Sequence, residues 1–147
     1  MDQVAARLSL VTLGVSDLAR SVRFYGDLGF VRKARATGEG VAFFDAGGVV
    51  LSLYPWNALA DDAAIAPEPR PKAFRGSALA WNCASPEEVD DAMARAMKAG
   101  ARLLKKPANV FWGGYSGYFA DPDEHPWEIA HNPFFPLTQD RRLILPE

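Results

Sequence analysis

Between Leu8 and Val15 the chain alternates so that Val11, Leu13 and Val15 share one face and Leu8, Leu10 and Thr12 the other. This predicts a strand that is apolar on both sides. The period then changes. From Asp17 to Leu28, the residues Leu18, Val22, Tyr25 and Leu28 recur at helical spacing, with Ser16 placed to cap the helix and Gly29 just past its last turn. Three short strands are predicted next, over 30–34, 41–45 and 49–54, separated by Gly38, Gly40 and the run Ala46-Gly47-Gly48. The order is βαβββ.

Residues 55–76 show no comparable period and carry Pro67, Pro69 and Pro71. A loop this long inside one unit is uncommon, so it is expected to connect two modules rather than to cover a site. The pattern restarts at Ser77 with a strand to Ala84. Ser85-Pro86-Glu87-Glu88 combines a capping serine, a proline at the first helical position and a glutamate at the third. Val89, Ala92, Met93, Ala96 and Met97 give the helix its apolar stripe, Gly100 ends it, and a strand over 101–105 follows. The stretch from Gly113 to Pro133 then reads as strand, Asp121-Pro122-Asp123 turn, strand. The second half is βαβββ again, and the interval from Asp45 to Asp121 also carries Ser52 onto Glu128.

The sequence therefore predicts an α+β fold of two tandem βαβββ modules, a cleft-shaped curled mixed sheet with helices outside. Residues 1–56 form the first module, 57–76 a linker, 77–133 the second module and 134–147 a tail. That tail is apolar at Phe134-Phe135 and Leu143-Ile144-Leu145 and is expected to dock on its own chain or on a second copy.

Charge and composition remove several functions. A formal net charge of -2 offers no basic face for nucleic acid. Cys83 is the single cysteine, which excludes an intrachain disulfide and any cysteine-cluster metal site. The N-terminus lacks a signal-peptide pattern and no apolar run approaches ~18 residues, so no membrane span is expected and a cytoplasmic location is the default.

Candidate chemistry centres on Glu128. In the strand Trp127-Glu128-Ile129-Ala130, alternation puts Trp127 and Ile129 on one face and the carboxylate on the other. A lone charge on a sheet face needs either a cleft open to water or a partner, and Asn82 and Thr12 are the candidate partners. Strand parity or loop position adds Thr12, Ser52, Tyr54, Asn82, Trp112 and Tyr118 as ligand contacts, with Trp112 beside Gly113-Gly114 as a wall for a flat molecule. Phe111 and Phe119 divide evenly between the core and such a site. His125 and His131 are expected in turn or surface roles, and the lysines Lys105 and Lys106 on a solvated strand edge.

Two stretches, VTLGVSDLARSVRFYGDLGF and GYFADPDEHPWEIAHNP, together with the repeat, resemble the vicinal oxygen chelate superfamily. That superfamily includes glyoxalase I, extradiol dioxygenases, fosfomycin-resistance enzymes and bleomycin-resistance binding proteins. The resemblance implies the paired-module fold, a homodimer and a cleft for a small organic ligand. It also implies a divalent metal held from the first, fourth, fifth and eighth strands, positions that map to Leu10, Ser52, Ala78 and Glu128. Three of these are not usual ligands, so the expectation is a binding protein with no cofactor and no metal site, or Glu128 alone if there is one. The alternatives are a metal-dependent lyase or dioxygenase with Glu128 as ligand, and a metal-free enzyme with Glu128 as the catalytic general base. The resembling family's turn usually reads Asp-Pro-Asp-Gly, whereas Glu124 stands in the glycine position here.

Overall fold

In a computed structural model, which describes residues 4–66 and 73–147, the element order follows the repeat. The first module is β1 (Leu10–Val15), α1 (Leu18–Leu28), β2 (Val31–Lys33), β3 (Ala42–Asp45) and β4 (Val50–Pro55). After α2 (Trp56–Asp62) come β5 (Leu79–Asn82), α3 (Pro86–Ala99), β6 (Arg102–Asn109), β7 (Tyr115–Ala120) and β8 (Pro126–His131). Each module forms a four-stranded mixed sheet, ordered β1-β4-β3-β2 and β5-β8-β7-β6. The two sheets are not joined to each other among the described residues.

The repeat is visible in the registers. Thr12 lies opposite Ser52 on the parallel pair β1·β4, and Ala80 lies opposite Glu128 on β5·β8. Val11, Leu13 and Val15 turn to the core as alternation requires, as do Leu51 and Leu53, while Trp127, Ile129 and Phe119 do the same from the second sheet. One core serves both modules. α1 and α3 pack against each other, and each covers the face of its own sheet opposite to Ser52 or Glu128. Tyr25 is fully buried where the modules meet, with its ring 6.3 Å from Phe44 of one and 5.9 Å from Trp127 of the other. Burying such a side chain stabilises the fold by roughly 1.5–3 kcal/mol.

The helix starts differ from each other. Ser85 caps α3, accepting from the Glu88 N–H at 3.2 Å, while Glu88 reaches back to the Ala84 N–H at 2.8 Å. At α1, however, Asp17 and not Ser16 is the cap, accepting from the Arg20 N–H at 3.0 Å. Ser16 is occupied elsewhere, donating from both its N–H and its hydroxyl to Asp123.

The segment 55–76 contains more than a connection. Its first part is α2, which lies on the outer face of the first sheet. A methyl group at Gly14 would come within 2.9 Å of the Trp56 ring, so the close seat of α2 depends on that glycine. Pro67, Pro69 and Pro71 lie outside the described residues. The tail is tied to its own chain by Arg141, which pairs with Glu88 at 2.7 Å, and folds on itself through the Leu137–Leu143 bridge, while Phe134, Leu143, Ile144 and Leu145 stay exposed. No helix among the described residues is long and apolar enough to cross a membrane.

Candidate functional site

The Asp-Pro-Asp turn between β7 and β8 is a clasp between the modules, not a reactive centre. Asp121 is buried and accepts from the Asp123 and His125 N–H groups through Oδ1 and from the Tyr25 hydroxyl, at 2.6 Å, through Oδ2. Burial raises its pKa, offset in part by the Tyr25 hydrogen bond and the nearby His125. Asp123 accepts from Ser16 at the start of α1 and from the Ser21 hydroxyl at 3.3 Å. Glu124 takes the left-handed conformation, φ 66°, that the turn demands of its missing glycine, and its carboxylate pairs with Arg102. The turn thus keeps its geometry with a non-glycine residue in the glycine position.

Both histidines are held by structure. His125 Nε2 donates to the Gly14 carbonyl at 2.8 Å, Nδ1 accepts from Arg75 at 2.9 Å, and the ring stacks on Trp56. His131 Nδ1 donates to the Cys83 carbonyl at 3.2 Å. Both ring nitrogens of His125 are engaged, whereas the bond to Cys83 leaves Nε2 of His131 as the acceptor nitrogen.

Glu128 stands on the outer face of the second sheet, half-buried, in a row set by the strand registers. Ala80, Glu128, Tyr118 and Lys105 lie directly opposite one another across β5, β8, β7 and β6. Asn82, Ala130 and Ser116 form the adjacent row. Across β7·β8 Glu128 stands opposite Tyr118. The phenol of Tyr118 is desolvated by the sheet and lies next to the Glu128 charge, and its pKa is raised.

Thr12, Ser52 and Tyr54 share the outer face of the first sheet, Ser52 buried and the other two half-buried. Because both sheets turn their opposite faces into one core, this group and the Glu128 group point away from each other. One chain does not bring the two sets together. Trp112 lies on the β6–β7 loop with its ring folded onto its own backbone. A methyl group at Gly114 would fall 1.7 Å from the Trp112 ring, so the glycine there serves the loop. Phe119 is fully buried, whereas Phe111 is wholly exposed and plays no part in the core. It lies in the turn between β6 and β7.

A cavity of about 530 Å³ opens elsewhere, between the modules on their inner faces, lined by Val11, Phe30, Leu51, Leu79, Trp81 and Trp127. Its walls are mostly apolar, with Asn82, Asp140, Arg141 and Arg142 also lining it, and Glu128 does not face it.

The family metal positions lack suitable donors. Leu10, Ser52 and Ala78 offer no carboxylate or imidazole to accompany Glu128, and no group of three or more His, Cys, Asp or Glu residues among the described residues could hold a metal ion. The residues do not fit a divalent site within one chain.

Residues 7–129 match the model of the Glyoxalase/Bleomycin resistance protein/Dioxygenase superfamily. The chain is similar to the structure of a glyoxalase-related enzyme from Fulvimarina pelagi, with 35% identity and a TM-score of 0.85 over 96% of this chain and 99% of that one. It is also similar to a glyoxalase/bleomycin resistance protein/dioxygenase from Nocardioides, at 26% identity and a TM-score of 0.73 over 88% of this chain and 85% of the other. A lactoylglutathione lyase from Agrobacterium tumefaciens, 22% identical with a TM-score of 0.66, covers 88% of this chain and 96% of its own length and shares the fold. No curated protein sequence matches the chain.

Proposed function

The chain belongs to the Glyoxalase/Bleomycin resistance protein/Dioxygenase superfamily, and we propose that it binds a small organic molecule over the outer face of its second sheet, with Glu128 as the polar anchor and no divalent metal. The observation that carries this reading is the setting of Glu128. It is a half-buried carboxylate whose neighbours across the sheet are the small Ala80 on one side and the hydroxyl of Tyr118 on the other. Ala80 leaves room above the sheet. A carboxylate beside a phenol retains acceptor capacity for a ligand N–H or O–H. The site is completed by a second copy of the chain in a homodimer, whose Thr12, Ser52 and Tyr54 face the Glu128 group. The division of the ligand set between two opposed faces supports this, since a cleft needs two walls.

The test begins with elemental analysis of protein purified without chelators and then loaded with Zn, Ni, Mn or Fe(II), followed by ligand screening through tryptophan fluorescence. Binding of organic cations that weakens at least tenfold in Glu128→Gln, without metal, is the expected result. Near-stoichiometric metal that disappears in Glu128→Gln would sink the metal-free reading. Sedimentation at micromolar concentration should give a dimer; a monomer that binds ligand equally well would remove the second copy from the site.

The Tyr118–Glu128 contact favours one second reading, a metal-free enzyme in which Glu128 takes a proton from the bound molecule. In that case Glu128→Gln abolishes turnover while changing ligand affinity far less.

A further inference from the structure

Lys105 lies on β6, the edge strand of the second sheet, and the ladder is irregular on both sides of it. Leu103 pairs with Phe119, Lys105 with Tyr118 and Ala108 with Ser116, so β6 carries one extra residue before Lys105 and another after it. Bulges of this kind re-aim side chains. The first of them replaces Leu104 by Lys105 opposite Tyr118 and so adds a cation to the row that carries Glu128.

A second observation shows that the chain is built to hold this irregularity. Gly117 of β7 lies under the bulged segment, and a Cβ there would stand 2.8 Å from the Lys105 carbonyl oxygen and 2.8 Å from the Pro107 nitrogen. Only a residue without a side chain lets β6 approach so closely. The lysine itself is exposed, and it makes no ion pair among the described residues.

We infer that the Glu128 face takes a zwitterionic ligand, whose cationic end meets Glu128 and whose anionic end meets Lys105. This inference rests on the proposed binding function and names the class of molecule bound. Two strand spacings separate the two positions, about 10 Å between backbones, a span that a lysine and a glutamate side chain with a small ligand between them can bridge. Tyr118 stands between them in the row, its ring available to the middle of the ligand. A flat, rigid molecule with opposite charges at its two ends fits this row better than one with a single charge. The alternative role of an edge lysine, discouraging strand pairing with other chains, gives no preference for the ligand's anionic group.

Three probes separate the cases: 4-(aminomethyl)benzoate, benzylamine and benzoate, titrated into the full chain by calorimetry or ligand-observed NMR. The zwitterion should bind about tenfold more tightly than benzylamine. Lys105→Gln should erase that difference and Lys105→Arg should retain it, with unchanged melting temperatures confirming the fold of both variants. Equal affinity for the zwitterion and benzylamine, or a preference that survives Lys105→Gln, overturns the zwitterion assignment while leaving a Glu128 site intact. Binding of none of the three, or benzylamine binding indifferent to Glu128→Gln, overturns the Glu128 site itself and this inference with it.

Discussion

The hydroxyl of Tyr25 donates to Asp121 at 2.6 Å and accepts from the Trp127 indole N–H at 3.0 Å, so that one buried phenol on the helix of the first module is fixed by two residues of the second. Removing that oxygen in Tyr25→Phe leaves a buried carboxylate oxygen and a buried indole N–H unmatched. The expected cost is about 1–3 kcal/mol, read as a lowered midpoint in urea unfolding, with the slope of the transition unchanged.

The same phenol governs alkaline stability. Burial, with the Asp121 charge next, raises the Tyr25 pKa well above its usual value, so the folded state holds the proton more tightly than the unfolded chain. Its contribution is complete below the unfolded value, about 10, and is lost as pH climbs through the folded value. Unfolding free energy followed upward from pH 9 should therefore fall more steeply in the wild type than in Tyr25→Phe.

Two glycines with opposite surroundings make a paired prediction. Gly26 lies in α1, and a Cβ added there would meet nothing within 4 Å, so Gly26→Ala should stabilise the protein by about 0.5–1 kcal/mol. Gly117 lies against β6 backbone, and Gly117→Ala should cost about 1–3 kcal/mol by pushing that strand away. Thermal melts of the two variants should shift in opposite directions.

Glu88 ties the tail to the start of α3. Its hydrogen bond from Arg141, with that from the Ala84 N–H second, lowers its pKa, so the linkage is present above the unfolded carboxylate value and fades as pH falls through the folded one. Protection factors of tail amides near Leu143, which correct for the intrinsic pH dependence of exchange, should fall as pH drops below the ordinary glutamate range. In Glu88→Gln those amides should exchange quickly at neutral pH as well. Global stability should barely move, because the pair is solvent-exposed.

Cys83 is buried, and desolvation with the Glu88 charge pushes its thiol up to about 11. Alkylation by iodoacetamide at pH 8 should be slow in the folded chain and complete within minutes in guanidinium. Fast native labelling would show that β5 opens far more readily than its packing implies.

Alternation and helical spacing disclosed the two βαβββ units, the stripes of α1 and α3, and the placement of Glu128 on the face opposite Trp127 and Ile129, because each follows from local period. They could not disclose Tyr118 as the cross-strand neighbour of Glu128, since that depends on which residues of β7 and β8 stand opposite. Helix α2 escapes the sequence for a related reason: its seat is a ring on Gly14, a contact between distant positions that leaves only a short segment of helix in the chain. Lys105 reads as an ordinary edge lysine. Its position opposite Tyr118 comes from two bulges that no periodicity encodes.

The clasp also gives the duplicated units a direction. Asp121, Asp123 and His125 of the later unit all reach into the earlier one, whereas the matching turn after Asp45 bonds within itself, Asp45 accepting from the Gly47 N–H at 2.9 Å. The halves have become plug and socket. Two copies of the later half would offer carboxylates with no serine hydroxyls or tyrosine to receive them, and two copies of the earlier half would have receptors and nothing to fill them. An ancestor made of identical halves would have needed another way to stay closed, and the present chain depends on keeping its halves different.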